Sequence, residues 1–395
     1  MQQNETLIIS GPSIYTEQGI YAQGSMTVAN GVIESISEKP SAKSTHTFPA
    51  TYHVVPGFID MHTHGANGHD VMDATPEALA GISQALAAEG TTAFLATTMT
   101  ASIKDIEKAL CNVRDFMQVQ HAHAGAAVLG VHLEGPFVAS SKLGAQTGEH
   151  ILVPDLKLMQ HWQKLAEQVI KLVTLAPEQA ECLDFIRHLK KHNIIASLGH
   201  TNASYEEAVA AIDAGCRHAT HLFNAMRGIH HRDPGAVTAA LLADNVMVEL
   251  ILDGIHLHPA IVELVLNVKG QDKILLITDA MRAKCLQDGC YELGGQSVQV
   301  HDGAARLADG TLAGSVLSMS SAIQNMLKFT GCSLAEVIKM VSNNPAKALG
   351  IFQSKGSLEV GKDADFVVLD EEMNVVMTVR SGRIVFDRCR VNTLA

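Results

Sequence analysis

Paired cysteines are the first thing this sequence lacks. Seven are spread over 395 residues, an odd number with no C-x-x-C pair, so they read as free thiols in a reducing compartment. Positive charge is also short. Twenty-nine Lys and Arg against 41 Asp and Glu leave a formal charge of −12, which argues against nucleic acid and anionic membranes as main partners. No apolar stretch is long enough to span a bilayer, and the opening Met1-Gln2-Gln3-Asn4-Glu5 has no basic leader pattern. Low-complexity tracts are missing too. A cytoplasmic protein is the expectation. With 47% hydrophobic and only 18% charged residues, the chain can bury a sizeable core, and its length leaves room for one large unit and a modest second one.

The rhythm changes once along the chain. Up to about residue 56, short runs such as Leu7-Ile8-Ile9 and Val32-Ile33-Glu34-Ser35-Ile36 are separated by Gly, Pro, Asn and Ser, as short strands are. From Pro56 onward, apolar runs alternate with amphipathic stretches. Eight β-like runs fall at 57–62, 91–99, 128–134, 171–176, 194–200, 218–223, 246–253 and 273–279. Pro76 to Glu89, closed by Gly90, reads as a helix with Pro at its first position and Gly after its end; Ser204 to Ala214, closed by Gly215, is similar. Eight alternations call for a (β/α)8 TIM barrel, since a doubly wound open sheet rarely needs so many. The segment from Cys285 to Leu312 looks like a hairpin insertion, with Cys285 and Cys290 as bystanders. Helices are expected at about 318–330, 334–341 and 345–349, and the tail returns to strands. The expected fold is therefore α/β. It has a barrel at 57–356 and a small β-sandwich domain built from both termini, 1–56 plus 357–395.

Five of the apolar runs end in metal-binding side chains: His62 and His64, Glu134, His200, His221 and Asp279. Imidazole and carboxylate at the tips of buried strands are costly unless something pairs with them. Parallel neighbours in one barrel would bring all six to the rim where such barrels keep their chemistry. Alternate strand residues point the same way, so His62 and His64 can both face the axis. This donor set suits zinc and comparable divalent ions. His121 and His123 have the same spacing but precede their strand, which puts them on the opposite rim as surface residues. Asp279 is a ligand, a proton acceptor or both, against the plainer role of a helix N-cap. Two further segments, from His221 to Gly235 and from Asp253 to Pro259, are rim loops. In the first, Arg232 either grips an anion as a fork or makes an ordinary surface ion pair.

These residues resemble the amidohydrolase superfamily over nearly the whole chain, and more narrowly the N-acetylglucosamine-6-phosphate deacetylase family. The resemblance rests on Pro56-Gly57-Phe58-Ile59-Asp60-Met61-His62-Thr63-His64, His132-Leu133-Glu134-Gly135-Pro136-Phe137, Thr220-His221-Leu222-Phe223-Asn224-Ala225-Met226 and Leu312-Ala313-Gly314-Ser315. It implies a divalent metal, one or two per subunit, with zinc first and iron, manganese or cobalt as alternatives. Glu134, His200 and His221 would hold the main ion and His62 with His64 a second. Asp279 would be the general acid and base, and also a metal neighbour. His256 would polarise the acetyl carbonyl. Ala145, Asn224, Ala225 and Leu312, Ala313, Gly314 and Ser315 would contact an amino-sugar phosphate. Arg232 would meet the phosphate across the interface of a homodimer, with His230 and His231 beside it. Gln146 departs from relatives that carry histidine there, and the loop from Gly228 to Arg232 is closer to N-acetylgalactosamine-6-phosphate deacetylases, so both hexose epimers stay open. Other readings are a different amidohydrolase and a non-catalytic sugar-phosphate binding protein. Against the first, Lys171 to Pro177 has no lysine near its end to bridge two metals, and Glu134 takes that place.

Overall fold

The computed structural model describes residues 6–391; the opening five residues and 392–395, the outermost parts of the small unit expected from sequence, lie outside them. Eight parallel strands follow one another in a single sheet: β1 (Phe58–Thr63), β2 (Thr91–Thr97), β3 (Ala127–Glu134), β4 (Ile170–Leu175), β5 (Ile195–Leu198), β6 (His218–Ala219), β7 (Met247–Ile251) and β8 (Ile274–Ile277). Closure from β8 back to β1 is made just beyond the ladder. The Asp279 amide donates to His62 O (2.8 Å) and the His64 amide to Ala280 O (2.8 Å). Deeper in, the buried Asp60 carboxylate accepts from Thr278 Oγ1 (2.6 Å) and from the His62 amide (3.2 Å). The sheet therefore closes as a barrel through the two segments that carry His62 and Asp279.

Every residue of β1, β2 and β8 is buried whichever way it points, the burial on both faces that parallel barrel strands require. Local signals set the helices. Thr75 caps the helix Pro76–Ala88, and Ser204 with Glu207 forms a capping box on Tyr205–Ala214, each offsetting the bare N–H groups of a first turn. The helix expected at 334–341 is split: Leu334–Ile338 passes into a π-helical turn, Lys339–Asn343, where Ser342 Oγ donates to Gly57 O (3.0 Å).

Head and tail strands meet directly. His53–Pro56 pairs antiparallel with Phe366–Leu369, Val55 facing Val367, in a six-stranded sheet; Leu7–Ser10 belongs to a second sheet of four. Ile9, Ile14, Met26, Val54, Phe366 and Val379 form their shared apolar core. The insertion after β8 is a three-stranded antiparallel sheet, Gly289–Leu293, Gln296–His301 and Ala304–Arg306. No helix among the described residues is long and apolar enough to cross a membrane.

Candidate active site

The six side chains expected at strand tips converge, but three do so by a route the apolar pattern does not show. His200, His221 and Asp279 each stand two residues beyond the last ladder residue of their strand. Their φ angles are 47°, 30° and 47°, left-handed backbone that costs a non-glycine residue roughly 1–2 kcal/mol. Such strain is kept where the surroundings over-determine it, typically at functional sites. The turn swings each side chain off the pleat toward the axis. It also shortens β6 to two residues, where the sequence suggested 218–223. Gly199 permits the turn at β5, because a Cβ there would stand 2.5 Å from Thr174 Cγ2.

Two trios result, His62 with His64 and Asp279, and Glu134 with His200 and His221, each with its donor atoms within 4.8 Å of one another. Glu134 lies between them. Its Oε1 is 3.1 Å from His200 Nε2 and 3.0 Å from His221 Nε2, while Oε2 is 3.0 Å from His64 Nε2. Asp279 Oδ1 lies 3.3 and 3.2 Å from the Nε2 atoms of His62 and His64. One carboxylate thus faces both trios.

The other ring nitrogens say which lone pairs are free. His200 Nδ1 is 2.9 Å from Lys142 O, and His62 Nδ1 is 3.0 Å from Glu249 Oε2. Both neighbours are acceptors, so each Nδ1 carries the proton and each Nε2 presents a lone pair, the arrangement of a metal-ligating histidine. His62 Nε2 is buried with no hydrogen-bond partner among the described residues, and a cation is the partner its chemistry fits. The field that would draw a cation to these nitrogens also draws a proton. Burial pushes His64 down, but hydrogen bonds and charges from Asp279 and Glu134 hold it up at about 9. Burial likewise opposes charge on His62, yet Asp279, Glu134 and Glu249 raise it well above the usual value. Glu134 and Asp279 stay low despite burial, because His62 and its neighbours favour their anions. The centre attracts positive charge.

A cavity of about 390 Å³ opens onto the trios, lined by His64, Glu134, His200, His221 and Asp279 and by Ala145, Asn224, Ala225, His256, Leu312 and Gly314. His256 Nδ1 sits 2.6 Å from Asp253 Oδ2, whose other oxygen takes the backbone N–H groups of Ile255 and His256 at 2.8 Å each. The ring is thus braced at one nitrogen. Of the Leu312 to Ser315 run, Ala313 is wholly buried in the insertion's core, and Ser315 Oγ donates to Thr278 O (2.5 Å). These two hold the loop, and Gly314, at φ 62° and so placed that a Cβ would stand 3.0 Å from Asp279 O, turns it over the site.

Arg232 is elsewhere. It is exposed on the loop of Gly228 to Arg232, its Nη1 2.5 Å from His231 Nε2, and does not line the cavity of its own chain. His121 is exposed at the far end of β3, and Lys171, at the start of β4, bonds Gln168 O rather than any trio. The sequence reading missed Glu249, Lys142 and the position of Gln146. Glu249 had a signal, a lone carboxylate inside the apolar run Met247-Val248-Glu249-Leu250-Ile251. Gln146, the departure from relatives, donates from Nε2 to Glu134 Oε2 (3.0 Å) and accepts from the Thr100 amide (2.8 Å).

Fold and centre together define a class, the barrel hydrolases that hold divalent metal in histidine and carboxylate side chains at the C-terminal rim. Comparison with known proteins narrows it. The amidohydrolase family model matches residues 53–385. An N-acetylglucosamine-6-phosphate deacetylase of Bacillus subtilis is 45% identical over 97% of this chain and 98% of its own length. An N-acetylgalactosamine-6-phosphate deacetylase of Escherichia coli O157:H7 is 38% identical over 96% of this chain and 99% of its own. Among solved structures, the N-acetyl-D-glucosamine-6-phosphate deacetylase of Mycobacterium smegmatis, an aspartate-to-alanine variant in complex with N-acetyl-D-glucosamine-6-phosphate, superposes with a TM-score of 0.91 at 32% identity, covering 96% of this chain and 99% of that one. The chain belongs to the amidohydrolase family and, within it, to the N-acetylglucosamine-6-phosphate deacetylase family, and it is a metal-dependent enzyme.

Proposed function

We propose that the enzyme hydrolyses N-acetylglucosamine-6-phosphate to glucosamine-6-phosphate and acetate. The observation that carries this reading is the pair of trios on either side of Glu134, at the floor of a cavity large enough for a hexosamine. Glu134, His200 and His221 would hold one divalent ion and His62, His64 and Asp279 a second, so one or two ions per chain are expected. Zinc leads, with iron, manganese or cobalt as alternatives, because imidazole and carboxylate suit them all. When bound, such an ion polarises a carbonyl and makes water a nucleophile near neutral pH. The chain's own groups do the rest. Asp279 takes the proton of the attacking water and hands it to the departing amine. As an imidazolium, with one N–H held by Asp253, His256 would donate the other to the oxygen that gains charge, a role worth on the order of 3 kcal/mol for one donor. Ala145, Asn224, Ala225, Leu312 and Gly314 would form the sugar walls. Arg232 would serve the phosphate of the neighbouring subunit in a homodimer. The setting is cytoplasmic, without nucleic-acid or membrane partners.

N-acetylgalactosamine-6-phosphate is the second reading, favoured by the loop from Gly228 to Arg232 and by the full-length similarity to the Escherichia coli enzyme. Acetate release from the two sugar phosphates, side by side on a preparation of known metal content, separates them. The gluco epimer is expected to give the larger kcat/KM. The reverse order would assign the galacto substrate, and no acetate from either by metal-loaded protein would reject the activity.

Removing one trio tests the metal reading. His62→Ala with His64→Ala should keep about one ion per chain, since Glu134, His200 and His221 remain. Complete loss of metal in a protein that still folds would show that the first ion resides at the other trio.

A further inference from the structure

Glu249 is a carboxylate with no part in the reaction as described, and it is fully buried on β7. Taking such a group out of water costs several kcal/mol unless something specific compensates. Its partners are specific. Oε2 accepts from His62 Nδ1 (3.0 Å) and from the His221 backbone N–H (3.1 Å). Oε1 has no hydrogen-bond partner among the described residues, its near neighbour being His218 Nε2 at 3.5 Å. One oxygen thus touches a member of each trio, but in different ways. At His221 it holds only the main chain, which Leu222 also anchors through its amide on Glu249 O (2.9 Å). At His62 it holds the side chain itself. A carboxylate cannot donate, so it keeps the proton on Nδ1 and turns the Nε2 lone pair toward Glu134 and Asp279. His64 has no such brace: its Nδ1 is buried and without a hydrogen-bond partner among the described residues.

We infer that Glu249 is the positioning residue of the second metal site: by fixing the tautomer and tilt of His62, it decides whether the trio of His62, His64 and Asp279 holds an ion. The inference rests on the two-ion reading above. An amide at this position still fills the space, but its NH2 can donate to Nδ1, which releases the opposite tautomer and aims a proton where the ion would sit. Outer partners of metal-bound histidines are typically worth about 10- to 100-fold in metal affinity.

The test is titration of the metal-stripped protein with cobalt(II), following visible absorption and the ions retained per chain. Wild type should take up two ions in separable steps. Glu249→Gln should keep the first step and weaken the second by about 10- to 100-fold, with its melting temperature recorded to separate site from fold. In the His62→Ala background, adding Glu249→Gln should change nothing further, because the residue through which Glu249 acts is already gone. An unchanged second step in Glu249→Gln overturns the inference, as does equal weakening of both steps or additive losses in the double variant. A wild-type chain that takes one ion only overturns the two-ion reading and this inference with it.

Discussion

Asp279→Asn should lower kcat by about 10²- to 10⁴-fold, the usual worth of a general acid or base, while KM for the phosphorylated sugar stays near its native value. The substitution is conformationally mild. Asn accepts the left-handed backbone that Asp279 adopts at φ 47° more readily than most residues, and the amide N–H that closes the barrel on His62 O is untouched. What changes is chemical. An amide oxygen cannot take a proton at neutral pH, and an amide NH2 turned toward His62 and His64 would meet lone pairs where a carboxylate stood. Steady-state kinetics with metal analysis on the same sample distinguish the two losses. A variant that keeps the wild-type metal content yet turns over slowly identifies Asp279 as the proton carrier. Near-native turnover would remove Asp279 from the chemistry altogether.

The convergence of the six side chains was legible in the sequence because its cost was legible. A buried strand that ends in histidine or a carboxylate calls for a partner, and five such endings in one alternating pattern point to one rim. What the pattern could not carry was the last turn of backbone. Hydropathy extends β5 and β6 to His200 and Phe223, whereas the ladder stops at Leu198 and Ala219 and the chain turns left-handed, a choice made by tertiary contacts. Supporting residues were obscured for a related reason. Glu249 and Asp60 sit inside apolar runs, where one polar residue reads as an interruption rather than as the group that aims a ligand. The run Leu312-Ala313-Gly314-Ser315 reads as one binding loop, yet its members alternate between the cavity and the packing behind it.

Arg232 is where sequence and single-chain geometry part company, and it carries the second large effect. A sugar phosphate brings about two negative charges near neutral pH, and the floor of this cavity is itself anionic. Among the cavity's lining residues Lys142 offers a permanent positive charge, but a lysine is a point charge, whereas a guanidinium matches phosphate as a fork. Arg232 lies on an exposed loop beside Ile229, which is 52% exposed, as a loop that inserts into a partner would be. Two charge-assisted hydrogen bonds are together worth roughly 3–6 kcal/mol, so Arg232→Ala should raise KM for the phosphorylated sugar by about 100-fold or more and leave the slow turnover of the unphosphorylated sugar nearly unchanged. Lys142→Ala is the matched control and should have the smaller effect. Mixed dimers then locate the arginine. With one Arg232→Ala subunit and one Asp279→Asn subunit, the cross-subunit arrangement leaves one site of each hybrid with both Asp279 and the partner's guanidinium, so activity should return to about half the wild-type level per dimer. Hybrids verified by mass that show no recovery would place Arg232 in the service of its own chain.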